Sequence, residues 1–423
     1  MDDKPAAPSA RSARYRYLPL LSLMLVLFVG AWFTFQLWPN AHKERVAAYG
    51  AALKRIERDY YEKVDEATLH KAAMGALVQG LGDSHSSYLD RRQANDIQER
   101  TKGEFGGVGA LLGVHEDGAM VVEVFDGPAK EAGLKAHDVI VAVDGQGVGG
   151  MELVHITGRI RGEVGTTVSL SLHRAGTGEA QTLEIVRDEI KIDTVRHEVL
   201  EPGVGLIWIG QFDEHTVQDV RDALKALQEG GTLKGLIIDV RGNGGGLLGA
   251  AVDVVDLLVD DGVIVKLDSR LSRERIEFVA TPMLALPAPV PIVVLVDGFT
   301  ASASEVMAGA LQSLGRAALV GARTFGKGAV GRNFALPDGG ALMLTVAHYT
   351  VASGKVIEGK GIEPDVKVGE LPPAEAMKAM PPEEQMAIFR KAQLEQSEKA
   401  IEVLKARMAA EEPAPPAAEG GDQ

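Results

Sequence analysis

A serine and a lysine in two neighbouring segments are the side chains of this sequence best suited to chemistry. Ser302 lies within Thr300-Ala-Ser-Ala-Ser-Glu305, and Lys327 lies within Thr324-Phe-Gly-Lys-Gly328. A serine hydroxyl and a lysine amine can act as nucleophile and general base without a histidine. The pair therefore predicts an acyl-transfer enzyme.

Ser302 stands where a helix is predicted to begin. Apolar residues recur after it at helical spacing until Gly315. Ser302 with Glu305 three residues later also fits a capping box, so a structural role is the alternative for both side chains. The two roles are compatible, because the free N–H groups at a helix start also favour a developing oxyanion.

Lys327 must lose its proton before it can act as a base. An ordinary lysine has a pKa near 10.4, so the neutral amine costs about 4.6 kcal/mol at pH 7. Two glycines flank Lys327, and the uncharged Phe325, Ala329 and Val330 are neighbours that can remove water from the amine. The alternative is a solvated lysine in a loop, because lysine side chains are mostly exposed.

A glycine-rich turn is the third feature that suits this chemistry. Residues 233–240 predict a buried strand, and Arg241-Gly-Asn-Gly-Gly-Gly246 predicts a turn before a helix over residues 247–259. A strand, a glycine turn and a helix together present backbone N–H groups to an anion. The turn is thus a candidate for binding the charge that develops during acyl transfer.

The same turn has a second interpretation as a dinucleotide site. Gly244, Gly246 and Gly249 fit the G-x-G-x-x-G spacing, and Asp268 follows near the end of the next apparent strand, where a ribose ligand belongs. A single glycine fingerprint is a weak signal, so nucleotide binding is kept only as an alternative.

Together these motifs resemble the C-terminal processing peptidase family, also called tail-specific proteases, over residues 45–370. Members carry a similar glycine turn, a Ser-Ala-Ser-Ala-Ser-Glu segment and then Thr-Phe-Gly-Lys-Gly. Residues 81–88 are similar to the segment before the family's PDZ domain, and residues 359–365 resemble the element that closes its core. The resemblance implies proteolysis without a cofactor.

The resemblance also implies roles for individual residues. Ser302 matches the family's nucleophile, and Lys327 matches its general base. The oxyanion hole would consist of the N–H groups of Ala303 and of Gly245 or its neighbour. Some members are described with a supporting glutamate at the position of Glu305, which we interpret first as a cap and second as a catalytic helper.

Four positions depart from the family pattern. Thr300 replaces the usual serine, and Gly242 and Gly244 replace the common asparagine and proline of the turn. Gly331 stands four residues after the lysine, where many members have a glutamine that orients the base. The last departure predicts either a reduced rate or a protein that has lost turnover.

Residues 103–189 change to short alternating strands and resemble a PDZ domain. Gly106, Gly107, Val108 and Gly109 match its carboxylate-binding loop, which would hold the C-terminus of a protein or peptide substrate. The alternative for this loop is a simple hairpin turn.

Residues 190–370 alternate strands and helices, which is typical of an α/β core with a largely parallel sheet. The predicted fold class is therefore α/β, and by resemblance a crotonase-like peptidase core with an inserted PDZ domain. The predicted architecture also has an N-terminal transmembrane helix and helical terminal extensions, over residues 39–102 and 371–423. The end of the chain is rich in Pro, Ala and Glu and is predicted to be disordered.

The N-terminal segment predicts membrane attachment. Residues 18–38 form a charge-free apolar run long enough to span a bilayer, and Arg11, Arg14 and Arg16 precede it. The positive-inside rule then keeps residues 1–17 in the cytoplasm and places the catalytic part on the periplasmic side of the inner membrane. A cleaved signal peptide is the alternative.

Composition excludes several other functions. The net charge of −15 argues against broad nucleic-acid binding, and the chain has no cysteine for a disulfide or a thiolate ligand. The histidines show no zinc spacing, so a metalloprotease is not predicted. Ile401, Leu404 and Met408 form an apolar stripe on the last helix, which predicts a packing contact, a homo-oligomer contact or a gate.

The sequence thus leaves two functions. The favoured one is a membrane-anchored serine endopeptidase that captures C-terminal tails on its PDZ domain and cuts them through a Ser302 acyl-enzyme, with an activating partner as an open question. The alternative is a scaffold that binds tails without cutting them.

Overall fold

The computed structural model describes residues 40–174, 180–271, 273, 275–287, 289–351 and 354–411. The chain divides into two compact units, one up to Gly80 and one from Leu81 onward. Each unit is described by itself.

Two helices make up the described part of the first unit, which falls within the helical extension predicted over residues 39–102. They are α1 (Asn40–Asp59) and α2 (Glu66–Gln79). Asp65 caps α2, because its Oδ2 atom accepts the N–H of Thr68 at 3.2 Å.

No helix within the described residues combines the length and the apolar character that a bilayer crossing requires. The predicted anchor, residues 18–38, lies outside the described residues, and so does the predicted disordered end from residue 412.

The second unit begins with a short strand and a helix, β1 (Ser87–Leu89) and α3 (Arg91–Lys102). A two-stranded ribbon follows, in which β2 (Glu104–Gly107) pairs with the later strand β9 (Asp188–Lys191). Every residue of the chain between these two strands belongs to the PDZ-like region. The chain therefore enters the PDZ-like region from β2 and leaves it at β9.

The PDZ-like region is a sheet in the strand order β3-β4-β5-β7-β8, with β6 paired to β5. Its short strands agree with the prediction for residues 103–189. The elements are β3 (Ala110–His115), β4 (Gly118–Val124), α4 (Pro128–Glu131), β5 (Val139–Val143), β6 (Gln146–Gly147), α5 (Leu153–Ile160), β7 (Thr167–His173) and β8 (Ala180–Val186).

A six-stranded sheet forms the centre of the peptidase region, in the order β10-β11-β12-β15-β16-β19. All neighbours pair in parallel except β10 and β11. Its elements and the helices packed on it are β10 (Val195–Glu201), β11 (Val204–Ile209), α6 (Thr216–Glu229), β12 (Gly235–Asp239), α7 (Leu248–Asp256), β15 (Ile292–Val296), α8 (Ala303–Ser313), β16 (Ala317–Gly321) and β19 (Val366–Lys367).

A second, antiparallel sheet completes the peptidase region, and the sequence analysis did not predict it. Its strand β18 pairs with β1, β13 and β17, and β14 pairs with β13. The remaining elements of the unit are β13 (Val263–Ser269), β14 (Ile276–Val279), β17 (Ala329–Ala335), β18 (Ala341–Val351), α9 (Ala374–Lys378) and α10 (Pro382–Glu411).

This second sheet removes the basis for dinucleotide binding. Asp268 lies on β13, which pairs with β14 and β18 and not with the parallel sheet that carries the glycine turn. Its carboxylate is exposed and lies 3.1 Å from Arg275. The interpretation of Asp268 as a ribose ligand beside the glycine turn is therefore wrong.

The last helix packs on the parallel sheet. Leu404 is fully buried in a cluster with Ile237 and Leu295 of the sheet, and Ile401 and Met408 pack against the same cluster. The predicted apolar stripe is therefore a packing contact within the chain.

Candidate active site

The serine segment and the glycine turn follow adjacent parallel strands. The turn comes after β12, and the serine segment comes after β15. These two strands pair in parallel, with Leu236 opposite Ile292. Parallel strands end at the same edge of a sheet, which is where α/β folds place their ligands. The carbonyl of Asn243 fastens the two segments together, because it accepts the N–H of Ala301 at 3.0 Å and the hydroxyl of Ser304 at 3.1 Å.

Ser302 occupies an unusual backbone conformation at the start of α8. Its φ is 58° and its ψ is −118°, a region that residues with a Cβ rarely adopt. Strain of this kind costs about 1–3 kcal/mol and is found mostly at functional sites. Its neighbours hold it there, because Glu305 accepts its N–H at 2.9 Å and Tyr349 donates to its carbonyl at 2.9 Å.

Glu305 connects the serine segment to the lysine segment. Its side chain is fully buried, with 0% of the residue exposed. Besides the N–H of Ser302, its carboxylate accepts the N–H of Gly326 and the N–H of Lys327, each at 2.8 Å, and the hydroxyl of Thr324 at 2.5 Å. A buried carboxylate is stable when its oxygens are fully hydrogen-bonded, and here those bonds fix both candidate catalytic residues.

Tyr349 joins the same two residues from their carbonyl side. Its hydroxyl donates to the carbonyl of Lys327 as well as to that of Ser302. Burial raises the pKa of the Tyr349 phenol, and the negative charges of Glu305 and Glu358 raise it further. The phenol therefore stays neutral and remains a donor.

Lys327 is half-buried in a loop between β16 and β17. Ala329 is buried beside it, as expected for a site that excludes water. Phe325 is 62% exposed, however, so the prediction that this ring removes water from the amine is wrong. The N–H of Phe325 donates to the carbonyl of Thr300 at 3.0 Å, and the side chain lies at the surface.

The candidate oxyanion groups lie at the contact between the glycine turn and α8. A Cβ atom added to Gly245 would lie 2.9 Å from the Cβ of Ser302 and 3.0 Å from the nitrogen of Ala303. Among the described residues, the N–H of Ala303 has no acceptor. The N–H of Gly245 donates to Oδ1 of Asn243 at 2.8 Å, so an oxyanion would compete with this side chain for that group.

A second carboxylate lies on the far side of Lys327. Glu358 accepts the N–H of Gly328 at 2.7 Å, and its other oxygen lies 2.9 Å from Nε2 of His85. His85, Glu358 and Tyr349 were not predicted from the sequence as site residues. The only available signal was that His85 falls within, and Glu358 directly before, segments already noted for their family resemblance.

The predicted carboxylate-binding loop is divided between two elements. Gly106 and Gly107 belong to β2 and pair with β9, and the carbonyl of Gly106 accepts the N–H of Gly162 at 3.1 Å. Val108 and Gly109 connect β2 to β3, and their N–H groups have no acceptor among the described residues. These two amides are therefore the ones available to a carboxylate.

The strand that follows this loop has an open edge. Among the described residues, β3 pairs on one side only, with β4, and helix α5 packs against it. An extended peptide can add to such an edge as another strand. The loop amides at the start of β3 would then meet the end of that peptide.

Two family models match the chain. A PDZ domain matches residues 106–186, and peptidase family S41 matches residues 203–368. The fold and the site thus define a serine peptidase that carries a PDZ domain.

Individual relatives agree with these matches. The chain is 38% identical over 333 residues to the carboxy-terminal-processing protease of Bartonella bacilliformis, which covers 78% of this chain and 76% of that relative. It is also 38% identical over 323 residues to the carboxy-terminal processing protease CtpA of Bacillus subtilis, covering 76% of this chain and 68% of that relative. The chain belongs to peptidase family S41 and is a serine-type C-terminal processing protease.

The chain was also compared with solved structures. The photosystem II D1 C-terminal processing protease is 31% identical, with a TM-score of 0.44, covering 75% of this chain and 91% of that chain.

Proposed function

We propose that this protein is a membrane-anchored endopeptidase that captures protein C-termini on its PDZ groove and cleaves them through Ser302 and Lys327. The observation that carries the proposal is the buried carboxylate of Glu305, which binds the N–H groups of both residues at once. A structural cap needs only the first of these bonds. The bond to Lys327 is explained if the two residues must be held together for catalysis.

The reaction follows from these positions. The hydroxyl of Ser302 attacks the scissile carbonyl while its proton passes to the neutral amine of Lys327. The oxyanion is stabilised by the N–H of Ala303 and by the glycine turn, through Gly245 or its neighbour. Lys327 then returns the proton to the leaving amine, and water hydrolyses the resulting acyl-enzyme in a second round.

Capture would use the backbone of the PDZ groove. The terminal carboxylate binds the N–H groups of Val108 and Gly109, and the peptide pairs with the open edge of β3. Such pairing depends little on side chains, so it suits an enzyme that acts on different tails.

The test of the chemistry is single-turnover cleavage of a loosely folded substrate by Ser302→Ala and Lys327→Ala. Each change should abolish acylation and leave tail binding intact, because nucleophile and base work as one unit. Lys266→Ala is the control, since that exposed lysine lies on β13 and contacts Glu277. Cleavage by Ser302→Ala at the parent rate would place the nucleophile elsewhere.

A scaffold without turnover is the second candidate, and Gly331 is the observation that favours it. Labelling the parent with a serine-reactive probe decides between the two. A parent that reacts no faster than Ser302→Ala, with its partner proteins present, supports the scaffold.

The membrane anchor rests on the apolar run over residues 18–38 and on the arginines before it. The mature protein should remain in the inner-membrane fraction. Its catalytic part should be accessible to protease from the periplasmic side. An N-terminus at or after residue 31 in the purified protein would indicate a cleaved signal peptide. A homo-oligomer and an activating partner stay predictions from the sequence.

A further inference from the structure

Three consecutive backbone N–H groups around the proposed base are bound to carboxylates. Glu305 accepts those of Gly326 and Lys327, and Glu358 accepts that of Gly328 at 2.7 Å. The two carboxylates come from different elements, since Glu305 lies on α8 and Glu358 lies in the loop after β18. The loop that carries Lys327 is thus held from two directions.

The contact between this loop and the segment around Glu358 is a direct backbone contact. A Cβ atom added to Gly328 would lie 2.7 Å from the nitrogen of Glu358. The N–H of Gly359 also donates to the carbonyl of Gly326 at 2.9 Å. A displacement of Glu358 would therefore move the backbone on both sides of Lys327.

His85 holds Glu358 in this position. Its Nε2 atom lies 2.9 Å from Oε1 of Glu358, and both side chains are largely covered, with 22% and 34% exposed. Asp83 in turn holds the backbone of His85. Its Oδ1 atom accepts the backbone N–H of His85 at 2.9 Å, and its Oδ2 atom accepts the Ser86 hydroxyl at 2.5 Å. Ser86 is anchored to β18 by the N–H of Thr345.

We propose that His85 and Glu358 are positioning residues for Lys327. Glu358 fixes the peptide that follows the lysine, and His85 fixes the carboxylate of Glu358. This inference rests on the proposed role of Lys327 as the general base. It explains how the base can be oriented although Gly331 has no side chain to do so.

An ordinary ion pair is the simpler explanation of the contact. Exposed pairs of this kind contribute little, and losing one leaves the rest of the protein unchanged. Glu358 differs because its second oxygen is bound to the amide next to the proposed base. The two explanations therefore predict different effects on the chemical step.

The experiment compares Glu358→Ala, Glu358→Gln and His85→Ala in the full-length protein. Acylation of Ser302 is measured in single turnover with a peptide ester, and tail binding is measured with the same peptide as a free acid. We expect Glu358→Ala to lower the acylation rate about 10- to 100-fold without changing the dissociation constant, since misplacing a catalytic group has effects of this size.

The conservative variant separates positioning from charge. Glu358→Gln keeps an oxygen that can accept the Gly328 N–H, so it should retain a rate within about fivefold of the parent. His85→Ala should give a loss between those of the two Glu358 variants. His215→Ala is the matched control, because Nε2 of His215 lies 3.4 Å from Glu104 in a similar partly buried pair made by other elements, directly before α6 and on β2.

Parent-like acylation by both Glu358→Ala and His85→Ala would overturn the proposal. If Glu358→Ala does not fold, the result for His85→Ala alone decides. Lys327→Ala is measured alongside. Rapid acylation by that variant would refute Lys327 as the base, and this result can be told apart from a failure of the positioning proposal. An equal loss in His85→Ala and His215→Ala would also refute the proposal, since it would indicate a general effect on stability.

Discussion

The peptidase region and the PDZ-like region differ in whether their backbone N–H groups have acceptors within the protein. Around Ser302 and Lys327 these groups are bound by buried carboxylates, above all that of Glu305. In the PDZ groove, the N–H groups of Val108 and Gly109 have no acceptor among the described residues. The peptidase region uses most of these amides to fix catalytic residues and leaves the N–H of Ala303 without an acceptor, whereas both free amides of the PDZ groove are the ones proposed to bind a ligand.

This difference teaches what each region can tolerate. A catalytic site must hold its nucleophile and base closely in place, so the amides that position Ser302 and Lys327 are bound internally, and the N–H of Ala303 is left for the oxyanion. A groove that accepts many tails must leave its bonds to the ligand. Mutations at internal carboxylates should therefore damage catalysis, and changes to the peptide terminus should damage capture alone.

Among the variants that keep Ser302 and Lys327, the largest effect is expected for Glu305→Gln. Glutamine has one acceptor oxygen, and its NH₂ group would face N–H donors at a site where Glu305 accepts four hydrogen bonds. Each hydrogen bond to a charged group contributes about 1.5–3 kcal/mol. We expect acylation to fall by at least about 100-fold and the melting temperature to fall with it, both measured on the purified variant.

Glu363→Gln is the control for that change, because its carboxylate is 51% exposed and contacts Arg323 and Lys367 at the surface. It should behave like the parent. If Glu305→Gln were also as active and as stable as the parent, the buried carboxylate would not fix the site.

A smaller loss is expected for Gly245→Ala. The φ of Gly245 is 106°, and the new Cβ would lie 2.9 Å from the Cβ of Ser302. The methyl group would crowd the nucleophile and strain the turn, so acylation should fall about 10- to 100-fold, the range reported for small misplacements. The measurement is single-turnover acylation by a serine-reactive probe.

Gly249→Ala tests whether that loss is specific. This glycine lies on α7, and a Cβ there would meet no atom within 4 Å. Alanine favours a helix by about 1 kcal/mol over glycine. Its rate should equal that of the parent, and a similar loss in both variants would contradict the steric explanation.

The affinity for a peptide tail should depend on the charge of its C-terminus and not on whether Ser302 is active. Amidating the C-terminus of a bound peptide removes the carboxylate that the Val108 and Gly109 amides favour. We expect about tenfold weaker binding, or about 1.4 kcal/mol. Calorimetry on Ser302→Ala avoids cleavage of the peptide, and equal affinities for both peptides would remove the carboxylate from the binding mode.

The smallest effect is expected for Gly331→Gln. A Cβ at this position would lie 3.6 Å from Cγ of Met343, an ordinary contact, so the strand can accept the side chain. If Lys327 is already positioned by Glu305 and Glu358, the glutamine should raise acylation only a few-fold, well below the roughly 100- to 10,000-fold that general-base catalysis contributes as a whole. A rise above about 100-fold would indicate that the lysine of the parent is badly oriented.

The sequence by itself was sufficient for the features that lie within short segments. Ser302 with Glu305, Lys327 between two glycines, and the turn that carries Gly245 each leave a pattern that local geometry explains. The alternation of strands and helices likewise predicted the parallel sheet, because hydrophobic periodicity is a local property. The apolar run over residues 18–38 is also a local pattern, and the membrane anchor that it predicts stays a prediction.

Only the tertiary structure decided which distant side chains complete the site. Tyr349 lies on a strand of the antiparallel sheet, and His85 meets Glu358 across 273 positions of the chain. No local pattern marks such residues, because their roles come from hydrogen bonds made after the sheets have packed. The same holds for Phe325, whose exposure at the surface is not marked by any local pattern. Spacing along the chain identifies the reacting groups, but the groups that orient them depend on three-dimensional contacts.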